Sequence, residues 1–252
     1  MDAIAILMYI FVFMLGAVIG SFLNVCILRI PAGESIVTGS SHCPKCGERL
    51  KWYELIPIFS FLALRGRCKS CKAPISAQYP LIEAVNGVLF LLAFERFGLS
   101  PEALTGALLF SALLALSVID ERTQEIPNGF CLFILVLALC QTALDFQNRH
   151  SHVIGLFAVS LPLALIFFIS RGRALGGGDV KLMAVCGLYL GWGAVLGAFF
   201  LGCLLGAVIH LLRMKLSGKN HVLALGPYLS AGVFVVLIWG EALWSAYLSL
   251  FI

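Results

Sequence analysis

The chain has 252 residues, 61% of them hydrophobic and only 12% charged, with a mean hydropathy of +1.01. So apolar a composition excludes a soluble enzyme and makes lipid the main solvent. The net charge of +4 is modest and lends no support to nucleic-acid binding; what matters is where the basic residues lie.

In chain order, apolar stretches cover 4–28, 80–94, 104–119, 130–144, 153–169, 182–212 and 222–252. Most approach the roughly 20 residues that carry a helix across hydrocarbon. The first lacks a basic leader and runs directly into Arg29, which suits an uncleaved anchor better than a secretory signal. Pro80 and Ser100-Pro101-Glu102 mark helix starts, since proline in a first turn loses no hydrogen bond. Pro162, inside the fifth stretch, predicts a bend. The sixth stretch is ambiguous: as one helix it would extend about 46 Å, against a hydrocarbon core of roughly 30 Å. Gly191-Trp192-Gly193 offers a natural break and raises the count to eight.

Basic residues favour that break. With the loop 29–79 in the cytoplasm, eight spans place all 17 Lys and Arg residues inside except Arg96 and Arg149. Seven would export Arg213, Lys215 and Lys219. Eight spans put both chain ends outside, and bring Asp120 and Asp179 to one face, the cytoplasmic one.

The loop between the first two spans carries Cys43-Pro44-Lys45-Cys46 and Cys68-Lys69-Ser70-Cys71. Two such knuckles let four thiolates close a tetrahedron around zinc, with disulfides or free thiols as the alternatives. A reducing cytosol disfavours disulfides. A four-cysteine site is closed, so this zinc is expected to organise the loop and not to catalyse. Cys26, Cys131, Cys140, Cys186 and Cys203 fall in apolar spans and read as small core residues.

Two carboxylates stand where hydrocarbon makes them expensive. Asp120 closes the third stretch, and Asp179 follows Gly176, Gly177 and Gly178 and opens the sixth. Ionisable groups at such positions are functional candidates by default, with a partner to be sought. Here each aspartate supplies the other's: two close carboxyls cannot both ionise easily, so one keeps a proton while the other activates water, the logic of aspartic proteolysis. Local alternatives stay open. Asp179 can cap a helix, Asp120 can pair with Arg122, and the three glycines can be a linker or a hinge that also admits close approach to Asp179. Lys181 is expected beside Asp179, favouring its ionised form. Asn24, Glu83 and Asn86 read equally as interhelical hydrogen-bond partners or substrate contacts, and Gly197, Gly202 and Gly206 as helix-packing positions.

The segment Gly20 to Pro31, the paired knuckles, Arg65-Gly-Arg-Cys68, Pro74-Ile-Ser76, Tyr79 to Glu83, Asp120 with Ile126-Pro127, Gly176 to Leu182 and Gly226-Pro-Tyr228 together resemble the bacterial prepilin peptidases, or type IV leader peptidases. The resemblance covers nearly the whole chain, in the family's order. It implies an all-α polytopic membrane protein of about eight transmembrane helices with a cytoplasmic zinc-binding loop between the first and second. It divides the chain into a first transmembrane helix (1–28), a cytoplasmic four-cysteine loop (29–79) and a transmembrane aspartic protease core (80–252). The implied catalytic pair is Asp120 and Asp179, and the implied metal ligands are Cys43, Cys46, Cys68 and Cys71. The implied partners are type IV prepilins and pseudopilins, cleaved on the cytoplasmic side of the bacterial inner membrane after the glycine that ends a short basic leader. Many members then methylate the new N-terminal residue with S-adenosylmethionine. No glycine-rich strand-to-helix motif marks a site for that donor, so the methyltransferase expectation rests on resemblance alone. One departure is Asn128, where many members carry an aspartate; it leaves the pair intact and bears on helix capping. Rival readings are a transporter relaying protons through the two aspartates, which would call for mid-membrane carboxyls and related halves, and a noncatalytic zinc-loop assembly protein.

Overall fold

The computed structural model describes residues 3–217 and 224–249. Lys219, 222–223 and 250–252, which enter the charge and span expectations above, lie outside the described residues. The described chain is helical: α1 (Ala3–Arg29), α2 (Phe59–Ala63), α3 (Gln78–Phe97), α4 (Pro101–Thr123), α5 (Asn128–Leu144), α6 (Arg149–Ala158), α7 (Ser160–Ile169), α8 (Gly177–Leu190), α9 (Trp192–Ser217) and α10 (Gly226–Leu248). Among the described residues there is no strand, only two isolated bridges in the four-cysteine loop. Among the described residues, five stretches are long and apolar enough to cross a membrane: α1, α4, 146–169, α9 and α10. This is a multi-pass membrane protein.

Its helix boundaries follow local chemistry. Ser100 caps α4, its hydroxyl accepting the Ala103 amide at 3.1 Å, with Pro101 as the first helical residue. The break expected at Gly191 is present: α8 ends at Leu190, Gly191 takes φ +84, a conformation that suits glycine, and α9 starts at Trp192. The bend expected at Pro162 appears upstream, where α6 and α7 part at Val159. A proline ring has no amide hydrogen and crowds the carbonyl four residues before it, here that of Ala158, the last residue of α6.

The chain divides into two compact units, 1–111 and 112–252. In the first, α1 and α3 form an antiparallel pair whose register is set by small residues and amides. Gly16 lies against Phe90, and Gly20 so near Glu83 that a Cβ on the glycine would come within 2.8 Å of the Glu83 Cα. Asn86 Nδ2 donates to the Gly16 carbonyl at 2.7 Å, and Asn24 Nδ2 to that of Tyr79 at 3.1 Å. Asn24 and Asn86 therefore serve helix pairing, the structural side of their two readings. In the second unit α8 is the hub, touching α5, α6, α7, α9 and α10. Its crossing with α6 is made backbone to backbone through Gly187 and Gly155, and α9 meets α10 through Gly202 at Leu229.

Candidate active site

Asp120 sits one turn before the end of α4, carried there by a run of buried residues that includes Leu113, Leu116 and Ile119. The residue is 4% exposed and its Oδ2 accepts the Gly226 amide at 2.9 Å. That amide belongs to the first residue of α10, so the positive end of a helix dipole faces the acid. A Cβ at Gly226 would lie 2.6 Å from Oδ2; only glycine lets the amide come this close. The Gly226-Pro-Tyr228 motif marks this position in the sequence, but its link to Asp120 is visible only in three dimensions.

Asp179 lies in the first turn of α8, two residues after its first helical glycine and ahead of the apolar run that opens at Leu182. It is 9% exposed. Its side chain accepts the Gly176 amide, and the charge of Asp120 reaches it across the site. The expectation that Asp179 caps the helix is corrected: Gly176 is the N-cap, and Asp179, in the first turn, meets the Gly176 amide from inside the helix. None of Gly176, Gly177 and Gly178 adopts a positive φ, so these glycines do not supply an unusual backbone. What the site uses is the missing Cβ: one at Gly178 would come within 2.9 Å of the Ile126 Cβ.

Both aspartates line one cavity of about 360 Å³, together with Gln124, Glu125, Asn128 and Lys181. Lys181 reaches this space as expected, but its ammonium donates to Asn128 Oδ1 at 3.0 Å. Asn128 therefore does more than start α5. Glu121 is outside the cavity wall and pairs with Arg213 at 2.8 Å.

In the first unit, Cys43, Cys46, Cys68 and Cys71 present sulfurs that all lie within 4.8 Å of one another, and Cys43 and Cys71 are 3.8 Å apart. Zinc–sulfur bonds of about 2.3 Å imply a tetrahedron edge of about 3.8 Å, so the cluster suits zinc. Each knuckle is the same tight turn: Cys43 and Cys68 donate to the carbonyls of Glu48 and Ala73, and accept from the amides of Gly47 and Lys72. Without a cation the four thiols compete. The amides of Cys46 and Lys45 bring Cys43 down to about 6, whereas Cys46, despite the Glu48 amide, is pushed up to about 12 by burial and the neighbouring thiols. A divalent ion relieves that competition.

Residues 14–97 match the family described as Bacterial Peptidase A24 N-terminal domain, and 107–211 match the Type IV leader peptidase family. A prepilin leader peptidase/N-methyltransferase from Bacillus subtilis (strain 168) is 36% identical over 242 residues, 94% of this chain and 97% of the relative. The chain belongs to the type IV leader peptidase family. A protein of the same name from Burkholderia pseudomallei (strain 1026b) is 36% identical over 265 residues, covering 91% of this chain and 85% of that one. Another, from Myxococcus xanthus (strain DK1622), is 36% identical over 217 residues, and the matched region spans 83% of this chain but 64% of the relative. No solved structure matches the chain.

Proposed function

We infer that this chain is a prepilin leader peptidase with N-methyltransferase activity, and that Asp120 and Asp179 are its catalytic pair. The observation that carries the reading is the sharing of one cavity by two buried carboxyls, each at a helix end and each holding one backbone amide. Water between the two is deprotonated by the ionised carboxylate and adds to the scissile carbonyl. The protonated partner supports the oxyanion and then gives its proton to the leaving amine, so no covalent enzyme intermediate forms. The Gly226 amide holds Asp120 in place throughout. Carboxyls at helix ends and not at mid-span favour the protease over a proton relay.

The substrates are type IV prepilins and pseudopilins, whose apolar helix lies in the bilayer while the basic leader stays in the cytoplasm. The chain sits in the inner membrane with the cavity at the cytoplasmic face, and crosses it eight times once α3, α5 and α8 are added to the five long apolar stretches. The organisation is a first span (1–28), a four-cysteine loop (29–79) and a protease core (80–252). Zinc on Cys43, Cys46, Cys68 and Cys71 organises the loop. S-adenosylmethionine, when bound, supplies the methyl group for the new N-terminus.

The decisive experiment incubates membranes with a model prepilin and measures the mass of the new N-terminus, which reports cleavage and methylation together. Asp120→Asn and Asp179→Asn are expected to leave the prepilin whole in membranes that retain each protein; substantial cleavage by either overturns the pair.

A further inference from the structure

One part of the four-cysteine loop is built for lipid and not for water. Trp52, Leu55, Ile56, Phe59 and Leu62 are all exposed, Trp52 by 78%, in a segment of a dozen residues. Contiguous exposed apolar surface of this kind marks a docking face.

The depth of the segment follows from one hydrogen bond. Glu83 Oε2 accepts the Ile58 amide at 2.7 Å, and Glu83 lies beside Gly20 of α1. With a hydrocarbon layer of roughly 30 Å centred on α1, Gly20 falls about 9 Å inside the layer's boundary. The hydrogen bond to Glu83 therefore ties Ile58 to the outer part of such a layer. Arg29, where the loop begins, is about 13 Å further along the α1 axis. The loop descends again after leaving the helix.

Most of the backbone bonding between Pro57 and Leu64 agrees with that depth, with Phe61 the exception. In hydrocarbon every amide hydrogen must find a partner within the protein. Pro57 has none to satisfy. Ile58 donates to Glu83, Phe59 to the Pro57 carbonyl, Ser60 to that of Ile56, Leu62 to that of Ile58 and Leu64 to that of Ser60. The Phe59 bond closes a three-residue turn at Ile58, whose φ of +63 and ψ of −52 are strained for a β-branched residue. Glu83 adds a second restraint by accepting the Ile58 amide at the centre of this turn.

Directly after the apolar segment, Arg65, Arg67, Lys69 and Lys72 line a cavity of about 550 Å³ with no acidic residue in its wall. Lys69 also donates to the Tyr53 hydroxyl at 3.0 Å, which ties the cationic rim to the apolar segment. Apolar side chains beside a cationic rim form an interfacial membrane motif, and cations at that level attract anionic headgroups.

We propose that residues 52–63 lie in the headgroup–acyl boundary of the bilayer and that Arg65, Arg67, Lys69 and Lys72 hold the headgroups of anionic phospholipids. The loop is then a membrane-docked element, and the expectation of a wholly cytoplasmic loop is replaced for this segment. The inference goes beyond the peptidase reading and stands without it.

The test uses the full-length, zinc-loaded protein in vesicles of phosphatidylcholine, alone or mixed with phosphatidylglycerol, with chains brominated near the headgroup. Subtracting the emission of Trp52→Phe from that of the unaltered protein isolates Trp52. Brominated chains are expected to remove most of the Trp52 signal, aqueous iodide little of it, and phosphatidylglycerol to deepen the quenching. A variant combining Arg65→Gln, Arg67→Gln and Lys72→Gln is expected to lose the phosphatidylglycerol increment while Trp52 stays quenched. Quenching by iodide and not by brominated chains overturns the membrane placement, as does Trp52 shielding that grows with protein concentration, which would make the occupant a second copy. Equal quenching with and without phosphatidylglycerol overturns the headgroup assignment.

Discussion

Glu83 and Asp120 make the same local arrangement to different ends. Each is a buried acid on a long helix, and each accepts one backbone amide from a segment distant in sequence, Ile58 at 2.7 Å and Gly226 at 2.9 Å. Glu83 is further met by the Ser21 hydroxyl, and its partners close over it. Asp120 instead faces a cavity, and the second acid on that cavity's wall is Asp179. A buried carboxylate with an amide partner is thus a structural clamp; an active site needs the second acid and room for water.

The largest expected effect tests that distinction directly. Asp120→Asn and Asp179→Asn should each lower prepilin cleavage by at least ~10²- to 10⁴-fold, the range that positioned acid–base groups supply. Glu83→Gln, which keeps one acceptor oxygen for the Ile58 amide, should leave cleavage within a few-fold. A cleavage loss in Glu83→Gln as deep as in the aspartate variants would erase the contrast.

Zinc removal comes next and separates the two units. If the four-cysteine loop contributes to methylation, Cys43→Ser combined with Cys46→Ser, or a strong chelator, should lower methylation of the new N-terminus, because the loop loses the ion that organises it. Cleavage by the second unit should persist. Mass measurement of the product reads both outcomes at once, and equal loss of the two would tie the knuckles to proteolysis.

Much of this was legible in the chain because hydrocarbon imposes strong constraints. The apolar stretches, the Gly191 break and the Ser100-Pro101 helix start follow from length, charge sidedness and cap chemistry, which act locally. The knuckles were legible because metal geometry fixes cysteine spacing. Three features were not. The Pro162 interruption falls upstream because the ring acts on a carbonyl one turn back. The Lys181–Asn128 bond joins groups on α8 and α5, and nothing in the local sequence of either names the other. The Gly226 amide on Asp120 spans 106 positions, so the sequence carried the motif without its partner.

That contact supplies a sharper probe than the acids themselves. Gly226→Ala would place a methyl where the carboxylate oxygen now lies, forcing Asp120 to swing away from the α10 amide. Losing a buried hydrogen bond to a charged group costs about 1.5–3 kcal/mol, which predicts a cleavage rate lower by roughly 10- to 100-fold with the protein still folded. Unchanged cleavage would show that the amide is only a clamp, as at Glu83.

The smallest effect concerns the cavity's rim. Asn128→Asp would turn a neutral acceptor for Lys181 into an ion-pair partner and add a third carboxylate to the wall. Lys181 is exposed, so the pair itself is worth less than about 1 kcal/mol, and cleavage should change by no more than a few-fold. The informative quantity is the pH profile. A further negative charge near Asp179 makes its proton harder to lose, so the alkaline limb of cleavage should move to higher pH, and Lys181→Gln, which removes a positive charge, should move it the same way. A limb displaced to lower pH by either change would mean that the carboxyl whose ionisation limits the reaction is not facing this wall.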